Sequence, residues 1–245
     1  MKKHIVKYLI ERGADVNKAN TNGDTPLLLI CEYCDEEIIR YLIERRVEIN
    51  TKNKNNDTPL IRACYRGNKN VIQLLIENGA NINSENKNGN TPLLIAYGRE
   101  FVYNKDIIRY LIQNGANVNK NNKNKDTPLI NACYFQNKNV IQLLIENGAN
   151  INSEKNNGDT PLLVACSSKY VNKEILKYLI QNGANVNKKN KNEDTALMIF
   201  CSQDNIESKD YDIINYLIEN GIRINEENKN GDTVLTKSNL TAKDL

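Results

Sequence analysis

Apolar residues fall along the chain in paired short stripes. Between Asp57 and Asn83, Leu60, Ile61, Ala63 and Cys64 give one apolar side, and Val71, Ile72, Leu74, Leu75 and Ile76 give a second at helical spacing. Thr58 offers a hydroxyl to cap the first predicted helix, and Pro59 suits its first position, where a missing N–H costs nothing. Gly67 and Asn68 break that helix. Gly79 stops the second in the left-handed conformation that a residue without Cβ adopts cheaply. A hairpin this small cannot bury its own apolar faces, so it needs a neighbour on each side.

The chain supplies those neighbours. Threonines equivalent to Thr58 stand at Thr25, Thr91, Thr127, Thr160, Thr195 and Thr233, so successive units are spaced by 33, 33, 36, 33, 35 and 38 residues. The end of the second helix recurs as well: YLIERGADVN from Tyr8, YLIERRVEIN from Tyr41, LLIENGANIN from Leu74 and Leu143, YLIQNGANVN from Tyr110 and Tyr178, and YLIENGIRIN from Tyr216. A period near 33 with T-P-L at the first helix and G-A-N/D-V/I-N after the second resembles the ankyrin repeat. The resemblance covers practically the whole chain. It implies an all-α repeat solenoid, with stacked helix-turn-helix units joined by β-hairpin-like loops. The expected organisation is a single solenoid over residues 1–245, with a partial repeat over 1–17, full repeats over 18–232 and a degenerate cap over 233–245. The position after T-P-L, usually His in the family, holds Leu28, Ile61, Leu94, Ile130, Leu163, Met198 and Thr236. An apolar contact is expected to replace the polar one, with Thr236 the exception.

Composition narrows the chemistry. A formal net charge of +3 over 245 residues favours no class of charged partner. No apolar run approaches the ~20 residues a membrane span requires, and the first residues do not read as a secretory leader, so an intracellular, cytoplasmic location is expected. Five of six cysteines, Cys31, Cys64, Cys133, Cys166 and Cys201, occupy one repeat position, six after each threonine. Tyr97 takes that position in the remaining full repeat. Packed helices lie about 8–10 Å apart, further than a disulfide reaches, so these read as small apolar core residues and neither disulfides nor metal ligands. Cys31 and Cys34 lie close in sequence, but with no second pair and no nearby His they read as one turn of helix.

The repeats are not uniform. Residues 68–85 recur unchanged at 137–154, a sign that a two-repeat unit was duplicated. The position before the hairpin Asp or Asn alternates between Gly23, Gly89, Gly158 and Gly231 and the non-glycines Asn56, Lys125 and Glu193. A positive φ is expected there, costing Lys125 and Glu193 about 1–2 kcal/mol each. Arg46 replaces the helix-stop glycine of its fellows. Extra residues fall between the two helices, bringing Phe101, Tyr103, Tyr170 and a polar stretch over 202–209. The opening helix lacks a first-helix partner, so it is expected either to act as a modest cap, with Lys2, Lys3, His4 and Lys7 outward, or to be the cut edge of a longer array, the second being the favoured expectation.

By resemblance, exposed first-helix positions and hairpin tips form a concave partner-binding face. The candidate binding residues on it are Tyr33, Arg62, Tyr65, Arg66, Arg99, Asn131, Tyr134 and Phe135. Tyr and Arg are favoured at interface hot spots because they combine large area with a polar end. The leading expectation is a monomeric, non-catalytic scaffold that binds another protein and needs no cofactor. The alternatives are nucleic-acid binding through the tip lysines Lys54, Lys87, Lys123, Lys191 and Lys229, which flanking Asp and Glu dilute, or service as the recognition part of a larger enzyme. His4 is the one histidine, and no nucleophile–base pair, metal cluster or phosphate loop is evident.

Overall fold

The computed structural model describes residues 2–96, 105–203 and 210–238, which form fourteen helices and no strand. In order these are α1 (Lys2–Glu11), α2 (Pro26–Tyr33), α3 (Glu36–Glu44), α4 (Pro59–Arg66), α5 (Lys69–Glu77), α6 (Pro92–Ile95) and α7 (Lys105–Gln113). They continue with α8 (Pro128–Tyr134), α9 (Lys138–Glu146), α10 (Pro161–Cys166), α11 (Lys173–Gln181), α12 (Ala196–Cys201), α13 (Tyr211–Glu219) and α14 (Val234–Lys237). They divide into two compact units, residues 1–123 and 124–245. Arg99, Tyr97, Phe101 and Tyr103, with residues 204–209, lie outside the described residues.

Each unit has two layers. In the N-terminal unit the first helices α2, α4 and α6 pack in succession, and the second helices α1, α3, α5 and α7 do the same. In the C-terminal unit α8, α10, α12 and α14 form one layer and α9, α11 and α13 the other. Every first helix starts alike. The hydroxyls of Thr25, Thr58, Thr91, Thr127, Thr160, Thr195 and Thr233 each accept from the backbone N–H three residues on. Pro occupies the first turn in five of them. The identical helices α5 and α9 carry identical caps: Asn68 and Asn137 each accept from a valine N–H at 3.2 Å.

The apolar stripes meet between the layers. Leu27, Leu60, Leu93, Leu129, Leu162 and Leu197 are all buried, as are Ile38, Ile72, Ile108, Ile141 and Leu176 from the second helices. At roughly 1.5–3 kcal/mol for each fully buried side chain, this recurring contact is the main force holding neighbouring repeats together. Leu28, Ile61, Leu94, Ile130, Leu163 and Met198, which stand where the family usually has His, join that core. Thr236 behaves differently: its hydroxyl accepts from the Thr233 N–H at 2.8 Å and closes a reciprocal capping box.

The aligned cysteines are core residues too. Cys31, Cys64, Cys133, Cys166 and Cys201 are buried free thiols. Burial pushes the thiols of Cys31, Cys64 and Cys133 far above their ordinary range, that of Cys166 to about 12 and that of Cys201 to about 11.

Candidate interaction surfaces

The hairpin loops are ordered by two ladders of asparagine. In the first, the Asn53 side-chain oxygen accepts from the N–H groups of Asn55 and Asp57 at 2.9 and 3.0 Å, which shapes its own loop. Its amide donates to Asp24 of the preceding repeat at 2.8 Å. Asn86 does the same towards Asp57, Asn190 towards Asp159 and Asn228 towards Asp194. Where the series breaks, the Lys155 ammonium meets Asp126 at 3.2 Å instead. The carboxylates before the first helices thus serve as acceptors for the next repeat.

The second ladder lies after the second helices. Asn50 accepts from the Asn81 N–H at 2.7 Å and donates to the Gly79 carbonyl at 3.0 Å. Asn83, Asn152 and Asn187 bridge forward in the same way. An amide offers an acceptor and a donor at one side-chain end, whereas an ionised carboxylate only accepts, which explains why Asn and not Asp recurs at these positions. One backbone bond per repeat links the tips, as in Lys54 N–H to Asn22 O and Lys191 N–H to Asn157 O. The tip lysines therefore contribute structurally through their N–H groups, while the side chains of Lys54, Lys87, Lys123, Lys191 and Lys229 are exposed.

With the loops fixed, the outward-facing residues of the N-terminal unit take defined places. Arg62 and Arg66 lie four apart on α4, hence on one side of it. Arg62 faces three carboxylates: Glu32 at 3.0 Å, Asp57 at 3.3 Å and Asp24 at 3.6 Å. Its Nε is buried beside Asp57 without hydrogen-bond alignment. Arg66 binds the other oxygen of Glu32 at 2.9 Å. Glu32, Asp57, Arg62, Tyr65 and Arg66 line a recess of about 300 Å³. Two carboxylates and two guanidinium groups line it, so its described charges balance and are paired with one another. Arg62 is thus engaged within its own unit, whereas Arg66 stays exposed and Tyr33 at the end of α2 is 78% exposed. Tyr65 is half-buried.

In the C-terminal unit the candidate residues gather at the end of α8. Tyr134 is 62% exposed and its ring meets Phe135 edge to face, with centroids 5.0 Å apart at 85°. Asn131 and Phe135 are half-buried. The next residue, Gln136, has a φ of 53°. Its amide donates to the carbonyls of Cys133 and Ala165 at 3.0 Å each, and its oxygen accepts from the Asn172 N–H at 3.0 Å. These three bonds hold a non-glycine residue left-handed and fix the turn that carries Phe135. In the inter-helix insertion of the next repeat, Tyr170 is 77% exposed with the Lys169 ammonium 5.5 Å from its ring centroid.

The sequence-predicted patch therefore falls into two sets: Tyr33, Arg62, Tyr65 and Arg66 in one unit, and Asn131, Tyr134 and Phe135 in the other. Glu32, which joins the two arginines, and Gln136, which braces the aromatic pair, were not among the predicted residues. The signal for Gln136 was available, since it occupies the repeat position held by the helix-ending Gly67. Among the described residues no group of three or more His, Cys, Asp or Glu is placed to hold a metal ion. None of the helices is long and apolar enough to cross a membrane.

Comparison with curated proteins yields no match. A family model described as ankyrin repeats (3 copies) matches residues 1–86, 45–122, 99–190 and 169–239. Threonine-capped first helices, paired second helices and tip-to-tip loops repeating at this period agree with that match, and the chain belongs to the ankyrin-repeat family.

Proposed function

We propose that this chain is a non-catalytic interaction module, a single repeat array that binds another protein through the C-terminal ends of its first helices. The observation that carries this reading is the exposure of Tyr33 and Tyr134. At both sites a large aromatic ring stands in solvent at the end of a helix whose other side is fully committed to the core. Burying such rings against a partner releases apolar area with little loss of side-chain freedom, and a scaffold already ordered by its asparagine ladders gives up little more. In the N-terminal unit the partner would meet Tyr33, Tyr65 and Arg66 beside the polar recess lined by Glu32, Asp57 and Arg62. In the C-terminal unit it would meet Asn131, Tyr134 and Phe135, a flatter and more apolar surface.

Site-specific photo-crosslinking tests this directly. A photoreactive amino acid at position 33, 66 or 134 is expected to capture a protein from the source cell. The same group at position 114 or 182, at the ends of the second helices, is expected to capture none. Equal capture from both sets of positions would reject the first-helix face.

A further inference from the structure

A different surface of the N-terminal unit carries a second inference. The hairpin tips of three successive repeats enclose a crevice of about 510 Å³, lined chiefly by Lys52, Glu85, Lys87, Lys120, Asn122 and Lys123. Four lysines face one carboxylate. That carboxylate, Glu85, is held by the Lys120 ammonium at 3.0 Å. The Asp side chains that would dilute the positive field point elsewhere: Asp24 and Asp57 accept from the amides of Asn53 and Asn86 and sit against Arg62 in the other recess. Lys52 and Lys87 are exposed and pair with no carboxylate among the described residues.

We infer that this crevice binds an extended acidic segment of a polypeptide. Charge selects the sign of the ligand, since a low-dielectric groove lined by one sign of charge concentrates the opposite sign. Its remaining lining selects the kind. The exposed amides of Asn56 and Asn121 offer donors and acceptors suited to a peptide backbone. Among the described residues no aromatic side chain lines it, so they provide no platform on which bases could stack, and a single-stranded nucleic acid fits it poorly. The crevice shares no residue with the recess between Glu32, Tyr65 and Arg66, so its occupancy is separable from binding at the first-helix ends.

The test is fluorescence anisotropy with the whole chain and three labelled probes: a decapeptide of alternating Glu and Gly, the same peptide with Gln for Glu, and a ten-nucleotide oligothymidylate. Binding of the Glu peptide is expected, with affinity falling about tenfold or more between low and moderately high salt, because exposed charges are screened over about 10 Å at 0.1 M. The Gln peptide is expected not to bind. The Lys52→Glu/Lys87→Glu variant, with an unchanged circular dichroism spectrum, should lose at least about tenfold in affinity for the Glu peptide. Tyr65→Ala should retain it. The inference is overturned if the lysine variant binds as the parent does, if the Gln peptide binds equally well, or if oligothymidylate binds at least as tightly.

Discussion

Replacing Asn53 with Asp isolates the first asparagine ladder. The change is isosteric and keeps the oxygen that accepts from Asn55 and Asp57, but it removes the amide that donates to Asp24 at 2.8 Å. In its place stands a second carboxylate, in a residue only 6% exposed. Two unit charges about 4 Å apart at an effective dielectric constant near 20 repel by about 4 kcal/mol. The alternative, protonating one of them at pH 7 from an ordinary value near 3.9, costs about as much. The Arg62 guanidinium, 3.6 Å from Asp24, offsets part of this, and a penalty of roughly 2–4 kcal/mol is expected at pH 7.

The penalty has a diagnostic pH dependence. The neighbouring carboxylate raises the new carboxyl's folded-state pKa above its unfolded value, so the loss is full above the folded value and fades as pH falls towards the unfolded one. Urea unfolding followed by circular dichroism, at pH 7 and near pH 4.5, measures both. With a slope of about 1–3 kcal/mol/M, the pH 7 midpoint should fall by the order of 1 M. Asn55→Asp, exposed at the same tip and using only its backbone in the ladder, should stay within about 0.5 kcal/mol of the parent. An unchanged midpoint for Asn53→Asp at pH 7, or the same loss at both pH values, would refute the assignment.

Other perturbations follow from the same geometry. Lys125 and Glu193 have φ values of 61° and 64°, so replacing either with Gly should raise stability by up to about 1 kcal/mol after the added freedom of the unfolded chain, or about 2–4 °C in melting temperature. Gly158→Ala should do the reverse, because its φ is +83° and an added Cβ would meet the Lys191 backbone N at 2.8 Å. A thiol reagent at pH 8 should modify Cys34 first and reach the five buried thiols only on unfolding; prompt reaction of several groups in the folded protein would contradict their core placement. Burial pushes the Asp194 carboxyl up, but bonds from Asn228 and Lys237 outweigh it and hold the group below its ordinary 3.8. Its stabilising contribution is therefore complete above 3.8 and lost as acid titrates it below that, so Asp194→Asn should flatten the acid limb of a stability profile measured by circular dichroism.

Repetition made much of the fold legible in the sequence. Thr58 and Pro59 announced a helix start, the alternation of Gly89 with Lys125 announced a left-handed tip, and five aligned cysteines announced core positions, because each is a local requirement on one residue. The loops were less legible. Asn53 looks like any polar loop residue until Asp24, 29 positions earlier, is seen to need its amide. Arg62 reads as a free hot spot by residue type, yet the fold brings Glu32 and Asp24 to it from the preceding repeat. Such pairings depend on the stacking distance between units, which no single repeat encodes. The regular recurrence of Asn17, Asn50, Asn83, Asn152 and Asn187 was the available clue, and amide chemistry was its explanation.

The central claim is a division of labour: buried stripes and asparagine ladders build the array, while the exposed tyrosines on the first helices do the recognising. Its most direct test pairs thermal unfolding with quantitative capture from the source cell for the parent and the Tyr33→Ala/Tyr134→Ala variant. The account predicts an unchanged unfolding midpoint together with loss of specifically captured protein. Identical captured proteins from both, or a variant that melts well below the parent, would contradict it.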